Sequence, residues 1–342
     1  MPFCRASERT TIQHQNASKN GTVDLRCTGH AMAPGHQSEP VGAPPQAAEK
    51  ELVRNMMTTI WSGLAVGAVY ALLGILLTIP LARSGHFNFA LAFYLVLGNF
   101  VAADLIADQG WSLWATALAL VGIGGLLGLV QDLGTMRPLR EGSDAFLLTT
   151  IGVAIVLEGF MAVYWGPLPR EVPFFGGAEP FNLLGGRAAP VDLWLIVLAI
   201  TMGLGCHIAA RRTRWGLVGR AVTTDKAVAS LRGINAPRVQ TLAYVVSGAG
   251  ACVLALATAP KTGVSAGMGL SLIIFAFAGM ALGGLGTFSG AVVGGFIIGV
   301  TEAMSQRYLN VDWAGIVVFL VLASTLLVRP VGLFGRRAVR SV

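Results

Sequence analysis

Apolar stretches long enough to cross a lipid bilayer recur along the chain from Met57 onward. An α-helix needs about 20 apolar residues to span the hydrocarbon layer, and nine segments approach that length. They are 57–81, 87–107, 111–131, 145–165, 191–210, 239–259, 265–283, 288–305 and 312–328. The pattern predicts an all-α fold, a polytopic bundle of transmembrane helices.

The number of membrane segments is eight or nine. The seventh and eighth stretches are separated only by the glycine-rich turn from Gly283 to Phe288. Irregular backbone is tolerated at membrane depth where protein surrounds it, so one of these stretches is a candidate re-entrant or broken helix. Residues 166–190 are rich in Pro and Gly and predict an irregular external loop.

The two ends of the chain differ from the apolar middle. Residues 1–55 are polar, rich in Ser, Thr, Gln, Gly and Pro, and typical of a disordered tail. Met56 and Met57 offer alternative starts, in which case the tail is an artefact of the assigned start. Residues 56–335 form the predicted transmembrane domain, and residues 336–342 form a short basic tail.

The composition agrees with this class. Hydrophobic residues make up 54% of the chain and charged residues only 12%, against roughly 25% charged in soluble domains. A soluble enzyme is therefore excluded. The 44 glycines favour close helix contacts, because lipid supplies no hydrophobic drive between helices. Four pairs at four-residue spacing predict packing seams: Gly63 with Gly67, Gly124 with Gly128, Gly290 with Gly294, and Gly295 with Gly299.

The basic residues predict the orientation. With nine spans and the loop 211–238 inside, fourteen basic residues fall on the cytoplasmic side and four on the other. The excess of Arg and Lys in cytoplasmic loops then places the N-terminus outside and the C-terminus inside. The net charge of +7 is spread over short loops, so it does not indicate nucleic-acid binding.

The apolar stretches contain few polar side chains, and these are the candidates for a solute pathway. Ionisable groups inside a membrane are rare and face the bundle interior or a water-filled cavity; pairing with a neighbouring helix is the alternative for each. The candidates are Tyr70, Thr78, Asn88, Asn99, Glu158 and Glu302. No phosphate-binding loop and no paired metal-ligand spacing occur, so we predict no catalytic, cofactor or metal site.

The loop 211–238 carries seven basic residues and one acid. Thr223, Thr224 or Asp225 can cap a short helix, and Gly233 is a suitable stop. Val228 and Leu231 fall on one face of this helix, which a groove of a cytosolic partner could receive. A solvated basic loop is the alternative.

Five stretches of the chain resemble the branched-chain amino acid ABC transporter permeases. They are GLAVGAVYALLGILLT from Gly63, FNFA from Phe87, MRPLR from Met136, GRAVTTDKAVASLRGI from Gly219, and LGGLGTFSGAVVGGFIIGVTEAM from Leu282. Their order and spacing agree with the family across nearly all of residues 57–335. Two departures from the family pattern leave the exact substrate open. Leu91-Ala92 stands where the family has His-Gly, and a lysine often found before the glycine-rich hairpin is replaced near Phe275.

The resemblance implies a multi-pass permease subunit in the bacterial inner membrane that hydrolyses no ATP itself. Its expected partners are a second homologous permease, two ATP-binding cassette subunits, an extracytoplasmic solute-binding protein and the bilayer. The loop helix would be the coupling helix, formed by Thr224, Asp225, Lys226, Val228, Ser230, Leu231, Arg232 and Gly233.

The resemblance leaves the solute open among branched-chain amino acids, other amino acids, and urea or short amides. An ion-coupled secondary transporter is a further alternative, but it needs intramembrane acids or broken helices in matching repeats. Glu158 and Glu302 lack matching flanks. A membrane scaffold without transport is the third hypothesis and predicts no docking helix.

Overall fold

A computed structural model describes residues 45–138, 145–166, 168–169, 181–183 and 186–335. Residues 1–44 of the predicted tail, Arg140 and the basic tail 336–342 lie outside the described residues. The backbone of Lys226 is described but its side chain is not.

The described chain is built from helices and one short hairpin. The elements are α1 (Pro45–Ser84), α2 (Leu91–Ala103), α3 (Leu113–Gln131), α4 (Ala145–Tyr164), β1 (Phe181–Leu183), β2 (Gly186–Ala188), α5 (Pro190–Arg212), α6 (Arg214–Thr224), α7 (Lys226–Leu231), α8 (Ala236–Thr262), α9 (Met268–Gly283), α10 (Phe288–Tyr308) and α11 (Val311–Val328). Single π-helical turns, Asp104–Asp108 and Asp132–Met136, extend α2 and α3.

Eight of the described helices are long and apolar enough to cross a membrane. The ninth predicted segment, 265–283, is the shorter α9 of 16 residues. It forms a tight antiparallel pair with α10, because glycines at 279, 283, 290 and 294 let the two backbones approach closely.

One expectation about the ends of the membrane segments was wrong. Helix α1 begins at Pro45, so residues 45–55 are helical and not part of a disordered tail. The run EKELVRNMM favours a helix, and proline fits a first helical turn. Within the loop 166–190, β1 and β2 pair as an antiparallel hairpin.

The two central helices are surrounded by protein. Twelve of the thirteen residues of α2 are buried, and residues 68–80 of α1 are buried without a break. Helix α2 packs on α8 and α9, while α3 packs along α8. Helices α3, α4, α5 and α11 have few buried residues, as expected of the outer, lipid-facing layer of a membrane bundle.

Contacts between the connecting segments divide them into two groups. At one end, Arg83 lies against Gly219, Arg137 contacts Thr241, and Phe334 donates its N–H to the carbonyl oxygen of Gly283. At the other end, the Trp165 indole N–H donates to Asp104 and the backbone N–H of Arg187 donates to the Thr58 hydroxyl. Lys261 forms an ion pair with Asp192 at the same end. This grouping matches the alternation of nine segments.

Candidate functional site

Tyr70 and Glu302 join α1 and α10 inside the bundle. The Tyr70 hydroxyl donates a 2.6 Å hydrogen bond to Glu302 Oε2, and Gln306 Nε2 donates to Glu302 Oε1 at 3.0 Å. Tyr70 and Glu302 are both buried. The structure therefore gives this carboxyl two donors, which a buried acid needs because its desolvation is costly.

A second polar cluster links α2 to α3. Asn88 and Gln131 exchange two amide hydrogen bonds of 2.8 Å, and the Tyr94 hydroxyl donates to Gln131 Oε1 at 2.6 Å. Asn88 Oδ1 also accepts from the backbone N–H of Ala90, just before α2 begins. Asn88 was a sequence candidate, whereas Gln131 and Tyr94 were missed.

Asn99 is a buried polar residue whose whole side-chain amide lacks a hydrogen-bond partner among the described residues. It lies in α2 with no solvent exposure, and neither its Nδ2 nor its Oδ1 has a hydrogen-bond partner within the described residues. An unpaired buried amide costs about 1–3 kcal/mol. Sequence alone predicted a hydrogen-bonding role for Asn99, but not that its amide is unpaired in this conformation.

The remaining two pathway candidates lie elsewhere. Thr78 is fully buried and donates its hydroxyl to the Gly74 carbonyl in its own helix. Glu158 is half-buried on α4, and a Cβ built on Gly267 would lie 4.0 Å from its Oε1. Glu158 therefore faces the start of α9 and is separate from the Tyr70–Glu302 pair on α1 and α10.

The two departures from the family pattern both lie in apolar surroundings. Leu91 and Ala92 have no exposed surface and belong to the core around α2. The ring of Phe275 packs on Tyr70 with 5.4 Å between centroids. Phe275 therefore places an aromatic ring beside the Tyr70–Glu302 pair.

The predicted seam glycines lie at three helix contacts. Gly63, Gly67, Gly295 and Gly299 line the contact of α1 with α10, and a Cβ on Gly67 would lie 2.9 Å from the Gly295 carbonyl oxygen. The other two contacts join α3 to α8 and α9 to α10. Gly124 and Gly128 face α8 in the first, and Gly290 and Gly294 face α9 in the second, opposite Gly248, Gly279 and Gly283, which the sequence analysis had not selected.

A fully buried acid, Asp132, ties the end of α3 to α8. Its Oδ1 accepts from Gln240 at 2.8 Å, and its Oδ2 accepts from Thr241 at 2.6 Å and from Arg137 Nε at 3.3 Å. Arg137 also donates to Thr241 at 2.7 Å. Sequence analysis missed this network, although an acid at the end of an apolar run just before the MRPLR stretch was a signal.

The loop between α5 and α8 folds into α6 and α7. Asp225 ends α6 and caps α7, because its Oδ1 accepts from the Val228 N–H at 3.0 Å. Gly233 follows α7 with φ at +81°, a conformation that glycine adopts without strain. The predicted coupling helix is therefore the six-residue α7, preceded by α6, which the sequence analysis did not predict.

A small apolar cluster holds this loop against α8. Val222, Ala229 and Val239 are buried together, with Ile234 packed against them. Val228 and Leu231 remain 50% and 87% exposed, and Thr224, Ser230, Arg232 and Gly233 are also exposed. The loop is thus internally packed but presents two apolar side chains to a partner or to solvent.

The acids at the opposite end of the bundle have structural partners. The Trp165 indole N–H donates to Asp104 at 2.6 Å. Lys261 Nζ lies 2.7 Å from Asp192 Oδ1, and Asp192 is buried. In the described ranges, no group of three His, Cys, Asp or Glu side chains can hold a metal ion.

These features define a class of protein. A polytopic helical bundle combines buried polar pairs on its central helices with a packed, partly apolar two-helix loop at one end. That is the architecture expected of a multi-pass membrane transport protein.

The family comparison is more specific. Residues 59–326 match the family of permease components of branched-chain amino acid transport systems. The match covers well over half of the chain, and the chain belongs to this family. No solved structure matches it.

Curated relatives carry the corresponding names. The chain is 30% identical to the high-affinity branched-chain amino acid transport system permease protein LivH of Escherichia coli (strain K12) over 300 residues, which cover 83% of this chain and 96% of LivH. It is 29% identical over 297 residues to the permease protein BraD of Pseudomonas aeruginosa, with 82% and 96% covered.

Proposed function

We propose that this chain is the membrane-spanning permease subunit of an ATP-driven importer that carries branched-chain amino acids or a closely related small solute by alternating access. The names of LivH and BraD support the substrate class. The exposed apolar face of α7 supports the ATP-driven mechanism. In such an importer, a membrane subunit without a nucleotide site must be moved by a partner that contacts its surface.

The partners follow from this face. Val228 and Leu231 would enter a groove of an ATP-binding cassette subunit, and the exposed Arg232 beside Leu231 would orient docking by charge. Two such ATPase subunits, a second homologous permease and an extracytoplasmic solute-binding protein complete the proposed importer. The internal packing of α7 on Val222 and Val239 supports a rigid lever.

The orientation is proposed from the charges at the two ends. The end that carries α6 and α7 also carries Arg83, Arg137 and Arg329, so this end would face the cytoplasm. A membrane-impermeant thiol reagent should then label a cysteine at the exposed Arg187 in intact cells, and not one at Thr224, in a background without native cysteines. The reverse labelling would contradict this orientation.

The pathway would run along the central helices α1 and α2, with α3 and α10 beside them. Asn99 supports this route, since an unpaired amide is retained at a cost unless another conformation gives it a partner. The amide can donate to a solute carboxylate and accept from its ammonium group. Tyr70 with Glu302, and Asn88 with Gln131, would mark two further levels of the same route.

Reconstituted uptake tests the proposed function. Proteoliposomes would contain this chain with the permease, ATPase and solute-binding proteins encoded beside it. We expect ATP-dependent uptake of labelled leucine, competed by isoleucine and valine and not by urea. Vesicles lacking this chain provide the control. Uptake that follows an ion gradient without ATP, or uptake of urea alone, would contradict the proposal.

A further inference from the structure

Two cavities meet at the end of the bundle that carries α6 and α7. An apolar cavity of about 330 Å³ lies between α1, α5 and α8. A polar cavity of about 350 Å³ lies between the ends of α1 and α5, α6 and the start of α10. Arg83, Ala210 and Phe288 line both cavities. A single ligand with an apolar part and a polar part can therefore occupy the pair.

The polar cavity is cationic. Arg83, Arg211 and Arg220 line it together with His207, and none of its described lining residues is acidic. The hydrogen bonds of Arg83 and Arg220 within the described chain go to backbone carbonyls: Arg83 donates to Ile79 at 3.2 Å, and Arg220 donates to Gly216 at 3.4 Å and to Arg211 at 3.5 Å. Within the described chain, none of the three arginines forms an ion pair with a carboxylate. Such a group of guanidinium donors suits a phosphate.

The apolar cavity opens toward the lipid-facing surface. Leu242 and Val246 of α8 line it and are 39% and 48% exposed, and Trp215 of α6 lines it as well. Arg83 and Ala210 lie in the last turns of α1 and α5, which is the depth at which lipid headgroups meet the hydrocarbon layer. Basic pockets between membrane helices at this depth bind anionic headgroups.

We propose that this pair of cavities binds one anionic phospholipid, with its phosphate against Arg83, Arg211 and Arg220 and an acyl chain between α5 and α8. Free phosphate shares the headgroup chemistry, but only a lipid fills both cavities. Gly219 of α6 packs against Arg83, since a Cβ built on Gly219 would lie 3.2 Å from the Arg83 side chain. A lipid that binds Arg83 would therefore also stabilise the position of α6. This proposal does not depend on the transported solute.

Native mass spectrometry of the purified full chain tests the proposal with added phosphatidylglycerol and phosphatidylcholine. We expect one phosphatidylglycerol to be retained preferentially. The double variant Arg211→Gln/Arg220→Gln should weaken its retention roughly tenfold or more, given the contribution of each basic residue to anionic-lipid binding. The matched double variant Arg232→Gln/Arg238→Gln removes two exposed charges outside both cavities and should leave retention unchanged.

A third variant separates a lipid from a free anion. Ala209 lines only the apolar cavity, so Ala209→Trp should fill it and reduce phosphatidylglycerol retention while all charges remain. Inorganic phosphate at matched concentration should not displace the lipid. Equal retention of both lipids, equal loss in the two arginine double variants, or phosphate competition with no effect of Ala209→Trp would each overturn the proposal. Gel filtration and thermal unfolding of every variant verify folding.

Discussion

Helices α2 and α11 are both strongly apolar, yet they occupy opposite environments. Protein buries twelve of the thirteen residues of α2, whereas only Ala314 and Val318 are buried in the 18 residues of α11. Hydropathy alone does not distinguish them, because lipid and protein interior are both apolar. Small and polar side chains distinguish the two environments. On the buried helices, small residues let neighbouring backbones approach and polar residues form hydrogen bonds between helices.

The largest expected effect separates glycines in these two environments. A Cβ on Gly295 of α10 would lie 2.5 Å from the backbone nitrogen of Ala71, while a Cβ on Gly315 of α11 would meet nothing within 4 Å. We expect Gly295→Ala to destabilise the protein by about 1–3 kcal/mol through overpacking. Gly315→Ala should be neutral or slightly stabilising. Thermal unfolding in detergent measures both changes in stability. Equal shifts in Tm for the two variants would contradict close packing of α1 on α10 at Gly295.

The next prediction compares a buried acid with an exposed one. Asp132→Asn keeps the size of the side chain but loses the negative charge and one of the two oxygens that accept from Arg137, Gln240 and Thr241. We expect a loss of about 1–3 kcal/mol. Asp312→Asn at the exposed start of α11 is the control and should change stability by less than about 0.5 kcal/mol. Thermal unfolding measures both variants. A stability loss for Asp132→Asn as small as that of the control would contradict a role of Asp132 in joining α3 to α8.

Asn99 gives a smaller effect on stability and a distinct one on transport. Asn99→Leu removes an unpaired buried amide, so stability should remain or rise by up to about 1 kcal/mol, while solute uptake should fall. Thr116→Val is a matched control at another fully buried position, where the hydroxyl bonds within its own helix. It should leave uptake intact. Normal uptake by Asn99→Leu would remove Asn99 from the pathway.

The sequence predicts the helices well and their neighbours poorly. Long apolar runs determine where membrane helices form. The glycine-rich turn from Gly283 to Phe288 marked the seventh and eighth stretches as the doubtful pair, but did not indicate that the seventh, α9, is the short one. The partners of Asn88 and Asp132 were not predictable, since Gln131 and Thr241 become neighbours only when α2, α3 and α8 pack. Helix α6 was missed because Gly216 and Gly219 lower its helix propensity, while contacts with Ala210 and Arg83 stabilise it.

The central claim is that α7 transmits work from separate ATPase subunits, and one pair of variants tests it most directly. The N–H of Ala229 donates to the Asp225 carbonyl at 3.0 Å. Ala229→Pro removes this bond and clashes with the preceding turn, at about 3 kcal/mol locally, whereas Ala229→Gly keeps the donor. Co-purification with the ATPase subunits and solute-stimulated hydrolysis should fall together in Ala229→Pro and persist in Ala229→Gly, with equal membrane insertion. Normal co-purification and hydrolysis in Ala229→Pro would contradict the claim.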